Sequence, residues 1–292
     1  MFRGTYTALV TPFRNGEVDF AALEQLVETQ IGAGITGLVS VGTTGESPTL
    51  THDEKHEVIA RTVELAKGRC QVIAGAGSNS TRDSIEATKF AEKAGADGVL
   101  LVAPYYNKPS QEGLFRHFQA IAGATKLPVM LYNIPGRCAV DIGPDTVLRL
   151  AEKCSNIVSI KEASGSVDRV AELHRRLPPE FTVLSGDDSL TLPFMSVGAV
   201  GIVSVASNLF PAEVCALVRT CEAGDFNAAE KLHRKMSGIF KDLFIEPNPV
   251  PAKTALGWRG VISPEVRLPL CEMTEANQAR LRTTLEEFEK SK

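Results

Sequence analysis

The sequence has no excess of positive charge. Its 31 lysines and arginines are outnumbered by 35 aspartates and glutamates, a net charge of −4. A nucleic-acid or anionic-membrane surface is read from a basic excess or a basic block, and neither is present. No apolar run approaches the length of a membrane span. The opening residues, Met1-Phe2-Arg3-Gly4-Thr5-Tyr6, lack the apolar stretch of a secretory leader. The six cysteines (70, 138, 154, 215, 221 and 271) contain no Cys-x-x-Cys pair, which argues against a disulfide framework and against a zinc site. There is no Walker-type phosphate loop. The nearest approach to a dinucleotide fingerprint, Gly75-Ala76-Gly77-Ser78-Asn79-Ser80, lacks its third glycine and follows the third strand-like run, not the first. Low-complexity segments are also missing. With 43% hydrophobic and 23% charged residues the chain can bury a sizeable core, which excludes disorder. The expectation is a mildly acidic globular protein of the cytoplasm that binds neither nucleic acid nor membrane.

What is present is an alternation. Short apolar runs rich in β-branched residues occur at Thr7 to Val10, Gly37 to Val41, Gln71 to Ala74, Gly98 to Val102, Val129 to Tyr132, Ile157 to Lys161, Thr182 to Leu184 and Gly201 to Val205. Between them apolar residues recur at helical spacing, as in Phe20, Leu23, Val27 and Ile31. Strand–helix alternation predicts a parallel sheet covered by helices, and eight such units predict a (β/α)8 TIM barrel over residues 1–224. Beyond residue 224 the strand signal stops. Leu232, Met236, Ile239, Phe240 and Leu243 mark one amphipathic helix, Glu246-Pro247-Asn248-Pro249-Val250-Pro251 breaks it, and Leu281, Leu285 and Phe288 mark another. Residues 225–292 are therefore expected to form a helical C-terminal domain.

Barrel enzymes carry their chemistry at the C-terminal ends of the strands. Lys161 ends the sixth run. If Val158 and Ile160 face the helices, then Ile157, Ser159 and Lys161 face the interior. A lysine there is partly desolvated, which lowers its pKa and frees an amine for Schiff-base chemistry. Tyr132 ends the neighbouring run, about 4.8 Å away in a sheet. Its hydroxyl can relay protons through other hydroxyls on the rim, with Thr43 and Tyr106 as candidates. Thr43-Thr44-Gly45 is a small-residue turn whose N–H groups suit a carboxylate. Arg137, after Pro135-Gly136, suits a second carboxylate. Taken singly, each has a plain structural reading: a paired strand-end lysine, a buried tyrosine, an ordinary turn, a surface arginine. His52-Asp53-Glu54-Lys55-His56 imitates a zinc-binding helix, but Asp stands at its second position, and Thr51 with Glu54 forms a capping box. The remaining histidines, 117, 174 and 233, fall in helical stretches, so no metal cluster is expected.

Together these residues are recognisable. Gly42-Thr43-Thr44-Gly45-Glu46-Ser47, Pro104-Tyr105-Tyr106-Asn107-Lys108-Pro109, Tyr132-Asn133-Ile134-Pro135-Gly136-Arg137, Ile160-Lys161-Glu162-Ala163-Ser164-Gly165 and Ser185-Gly186-Asp187-Asp188 stand in this order. With Glu246-Pro247-Asn248-Pro249, they resemble the 4-hydroxy-tetrahydrodipicolinate (dihydrodipicolinate) synthase family of the class I aldolase-like superfamily, from about residue 3 to about residue 290. Sialic-acid lyases and keto-deoxy sugar-acid aldolases share the lysine and tyrosine but generally lack the arginine. The resemblance implies condensation of pyruvate with L-aspartate 4-semialdehyde, in lysine and diaminopimelate biosynthesis. It implies a pyruvate imine on Lys161, proton transfer by Tyr132, and a relay through Thr43 and Tyr106, with Tyr106 entering from a neighbouring subunit. Thr44 and the backbone of Val203 would hold the pyruvate carboxylate, Gly186 would line the substrate site, and Arg137 would take the carboxylate of the semialdehyde. No metal or organic cofactor is implied, and the assembly is a homo-oligomer, expected as a tetramer of two dimers. Cys138 stands where Thr or Ser is usual, and Val203 where Ile is. In lysine-inhibited relatives an effector pocket lies between subunits. Its matching positions are Ser47, Pro48, His52, Lys55, Asn79, Asp83 and Tyr105. Lys55 replaces a usual histidine, and its added ammonium predicts weak or absent inhibition by L-lysine.

Overall fold

The computed structural model describes residues 2–291. Eight strands, β1 (Gly4–Ala8), β2 (Gly37–Ser40), β3 (Gln71–Gly75), β4 (Gly98–Val102), β5 (Val129–Asn133), β6 (Ile157–Glu162), β7 (Thr182–Ser185) and β8 (Gly201–Ser204), pair in sequence order, all parallel. β1 bonds to both β2 and β8, which closes the barrel. The outer layer is α1 (Phe20–Gly32), α2 (His52–Ala66), α3 (Thr81–Ala94), α4 (Gln111–Ala122), α5 (Pro144–Lys153), α6 (Val167–Arg176), α7 (Thr191–Met195) and α8 (Pro211–Glu222). Strand alternation splits the apolar residues into two clusters. Tyr6, Val39, Ile73, Leu100, Met130, Leu184 and Val203 fill the barrel. Leu38, Val72, Leu101, Leu131, Ile160 and Val183 pack outward against the helices.

Most strand boundaries fall within a residue of the sequence reading. The first is three residues early. Leu9 and Val10 prolong the apolar run, but Val10 has already left the sheet and gives its N–H to Asn208 Oδ1 at 3.2 Å. A second difference lies in β6. A register shift opposite Val129 and Met130 inserts one extra residue. Ile157 consequently packs outward and Val158 inward, the reverse of the simple alternation, while Ser159, Ile160 and Lys161 keep their expected faces. A two-stranded hairpin, Phe13–Arg14 with Glu17–Val18, was not anticipated. Its Asn15-Gly16 turn, with φ of 56° and 84°, is a strong hairpin signal that the apolar pattern hides.

After residue 224 come α9 (Phe226–Asp242), α10 (Val250–Trp258) and α11 (Glu275–Lys290). α10 begins inside the proline-rich stretch read as a breaker, because Pro251 in its first turn gives up only an N–H that has no helical partner there. Met236, Ile239, Phe240, Leu281, Leu285 and Phe288 join the same cluster as the outer barrel core. No helix among the described residues is long and apolar enough to cross a membrane.

Candidate active site

The barrel register brings Lys161 and Tyr132 together as direct partners on β6 and β5. Lys161 Nζ lies 4.1 Å from the centre of the Tyr132 ring. Both side chains are buried, at 6% and 4% exposure. Burial lowers the Lys161 pKa to about 7; Asp188 opposes that shift and Arg137 adds to it. A large share of the amine is therefore unprotonated near neutral pH. Burial pushes the Tyr132 hydroxyl well above its usual value, opposed by the positive charge of Arg137 and by a hydrogen bond with Thr43. Tyr132 is thus a neutral phenol joined to a threonine hydroxyl, and can accept a proton only as it passes one on.

Gly186, after β7, makes room for the amine. A Cβ on it would sit 2.8 Å from Ala163 Cβ and 3.0 Å from Lys161 Cε. Asp188 closes the same loop. Its carboxylate accepts the Ser204 hydroxyl and the N–H groups of Val205 and Ala206, each of these last two at 3.0 Å, tying the end of β7 to the end of β8 where Val203 lies. Burial raises the Asp188 pKa to about 6 against those three hydrogen bonds. Thr44 is buried, and its Oγ1 accepts a hydrogen bond of 2.9 Å from Asn248 Nδ2.

Residues next to Lys161 and Tyr132 turn to the opposite face. Asn133 Nδ2 donates to Asp141 at 2.7 Å and to both oxygens of the fully buried Glu162 at 3.2 Å. Arg169 of α6 donates from Nε to Glu162 at 2.7 Å and from Nη1 to Asp141 at 3.1 Å, and reaches the Ile142 carbonyl with Nη2. Ile142 N–H returns to Asn133 Oδ1 at 3.0 Å. This network pins both feet of the loop from Asn133 to Ile142. Its one-turn helix Pro135–Cys138 carries Arg137, which is exposed.

A cavity of about 490 Å³ opens over this rim. Thr43, Arg137 and Cys138 line it, together with Ser47, Pro48, His52, Lys55, Asn79, Asp83 and Tyr105, so the expected effector positions gather in one place. Burial of Lys55 lowers its pKa, and Asp83 opposes that. Tyr106 is not brought to the site within this chain: it is 88% exposed, on backbone at φ 73°. The expected capping box is present, with Thr51 and Glu54 bonded reciprocally, and Glu54 also holds Arg267. Among the described residues no His, Cys, Asp and Glu group could hold a metal ion. The sequence reading gave no part to Asp188, to Asn248 or to the Glu162–Arg169 pair. The first two stood inside recognised runs, and the pair needed the fold to meet.

A barrel with a buried lysine against a tyrosine supports several aldolase-like chemistries; the whole-chain comparison decides among them. The Dihydrodipicolinate synthetase family model matches residues 1–288. The chain belongs to the dihydrodipicolinate synthetase family. It is similar to a 4-hydroxy-tetrahydrodipicolinate synthase of Endomicrobium trichonymphae, 49% identical over 288 residues covering 99% of each chain. Among solved structures, the 4-hydroxy-tetrahydrodipicolinate synthase of Methylacidiphilum fumariolicum SolV superposes with a TM-score of 0.98 at 58% identity, covering 99% of this chain and 97% of the other. The dihydrodipicolinate synthase of Aquifex aeolicus also gives 0.98, at 48% identity over 99% and 98%. The chain superposes on these structures over nearly its whole length, C-terminal helices included.

Proposed function

We propose that this family member condenses pyruvate with L-aspartate 4-semialdehyde to 4-hydroxy-tetrahydrodipicolinate, with Lys161 as the covalent nucleophile. The observation that carries the assignment is the pairing of a desolvated Lys161 amine with Tyr132 at the barrel mouth. The amine adds to C2 of pyruvate, and the carbonyl oxygen leaves as water after taking protons through Tyr132 and Thr43. The cationic imine draws electrons from C3, which loses a proton to give an enamine. C3 then attacks the aldehyde carbon, whose oxygen is protonated to a hydroxyl. The amine of the semialdehyde attacks C2, the bond to Lys161 breaks, and the ring closes on a regenerated lysine. One water is released overall. The imine is the electron sink, so no metal or organic cofactor takes part.

The Thr44 hydroxyl and the Val203 backbone hold the pyruvate carboxylate beside Gly186, and Arg137 takes the carboxylate of the semialdehyde. Tyr106 completes the relay in the site of a second copy. Its exposure and strained backbone support this, since contact between copies covers a ring otherwise left in solvent. The assembly is a homotetramer built as two dimers, working in the cytoplasm. All of these groups lie in the catalytic barrel, residues 1–224, with residues 225–292 as a helical domain beside it.

Incubation with pyruvate and borohydride, followed by intact-mass measurement, tests the reading. One reduced pyruvyl unit per chain is expected, at Lys161. An unchanged mass, or labelling that persists in Lys161→Ala, overturns it.

A further inference from the structure

The turn that carries Thr43 and Thr44 begins and ends on strained backbone. Val41 has φ 58° and Glu46 has φ 53°, values that a β-branched or long side chain rarely adopts. Gly75 on the neighbouring strand is required by the first of these, because a Cβ there would lie 2.2 Å from the Val41 carbonyl oxygen. At the second, the Glu46 N–H closes a turn on the Thr43 carbonyl at 3.0 Å and its carbonyl accepts the Thr49 N–H at 3.0 Å. Its side chain is held from about 200 residues away in the chain. Lys253, on α10, is fully buried and donates to Glu46 Oε1 at 2.6 Å and to the Thr11 carbonyl at 2.9 Å. Arg267 N–H takes the other Glu46 oxygen at 3.0 Å. Thr11 Oγ1 in turn donates to the Gly45 carbonyl at 2.8 Å. Five residues before Lys253, Asn248 reaches Thr44 itself.

That last contact has a chemical direction. Asn248 Nδ2 gives a hydrogen to Thr44 Oγ1, which therefore serves as acceptor toward Asn248. Its own proton is left for another partner. A carboxylate can only accept hydrogen bonds, so a committed donor is what a carboxylate site needs.

We infer that Asn248 and Lys253, both from the C-terminal extension, are positioning residues for the pyruvate carboxylate. Asn248 commits the Thr44 hydroxyl as a donor, and the Lys253–Glu46 ion pair holds the strained turn that presents it. The inference rests on the functional reading above and adds a role to residues outside the barrel.

Asn248→Asp tests the direction of the hydrogen bond with little change of shape. A carboxylate at 248 accepts the Thr44 proton and adds a negative charge beside the pyruvate carboxylate. The pyruvate KM should rise about tenfold or more, as expected for losing a hydrogen bond to a charged group. The semialdehyde KM and the pH dependence of borohydride trapping should stay as in the parent. Asn248→Ala, which removes the partner without opposing it, should raise the pyruvate KM less. For the ion pair, the double variant Glu46→Gln with Lys253→Met avoids a lone buried charge. It should shift half-saturation of trapping by pyruvate upward several-fold, with the semialdehyde KM unmoved. An unchanged pyruvate half-saturation in both Asn248→Asp and the double variant overturns the inference, and so does an equal rise in both substrate KM values. If the parent protein is not trapped by pyruvate at all, the functional reading fails instead, so the two failures are distinguishable.

Discussion

The turn after β2 and the loop after β5 line one cavity, yet they are held in opposite ways. The Thr43–Glu46 turn is gripped from behind by Lys253 and Glu46, at 0% and 1% side-chain exposure. The Arg137 loop is held at its feet and by the buried Cys138. Its clamp grades from the buried Glu162 through Arg169, at 10%, to Asp141, which is half exposed at 48%. Arg137 itself stands in solvent. A dry clamp fixes its charges at low dielectric and lets them move little, whereas a half-wet clamp leaves an arm that can adjust. Pyruvate must be placed to within bonding distance of Lys161. The semialdehyde adds later, and the proposed role of Arg137 toward it makes no such demand.

The largest expected effect is common to both sides, because both depend on one amine. With the Lys161 pKa lowered to about 7, its free-amine form dominates above that pH and is lost below it. The rate of borohydride-trapped imine formation should fall about tenfold for each pH unit below the pKa; a flat profile there contradicts a desolvated lysine. Next is Arg137→Ala. Loss of a charge-assisted but solvent-screened carboxylate contact of about 1.5 kcal/mol should raise the semialdehyde KM about tenfold and leave the pyruvate KM nearly unchanged. Equal effects on both substrates would erase the division between the two regions. Arg169→Met should act in the same direction but more weakly, several-fold on the semialdehyde KM, with a lowered melting temperature because Glu162 loses a buried partner. If pyruvate binding suffers instead, the network serves Lys161 rather than the loop.

The smallest effect concerns the shared cavity. Lys55 there would repel the ammonium of bound L-lysine by about 3 kcal/mol at ~6 Å and an effective dielectric near 20, before screening. Inhibition by L-lysine should therefore be weak or absent, and Lys55→His should increase it. Strong inhibition of the parent protein, measured at physiological salt, would show that Asp83 neutralises Lys55.

The barrel and its rim were legible because they rest on local pattern. Alternation in the strands places Lys161 and Tyr132 inward, and the βα punctuation places both at strand ends. What the pattern hides is any feature made by one inserted residue or by distant charge. The extra residue in β6 reverses Ile157 and Val158 without leaving a mark in their hydrophobicity. Lys253 and Glu46 read as two ordinary charges on a helix and in a turn, since nothing in either neighbourhood says that they will meet as an ion pair in a dry interior. Arg169 is likewise one of three arginines within eight residues, and only the fold selects it. The helix Val250–Trp258 was missed for a simpler reason: proline reads as a stop, although in the first turn it is a start.

The tie between Asn248 and Thr44 also bears on the order in which the protein is made. Synthesis delivers β1 to β8, with Lys161 and Tyr132, before any of α10 has left the ribosome. Every strand of the barrel therefore emerges before the residues that support its carboxylate turn. Closing a contact between residues 204 positions apart is a late and entropically slow event. In chain order the nucleophile comes first and the support for the turn that faces it comes last, so truncation within α10 leaves the catalytic pair encoded and its carboxylate grip incomplete.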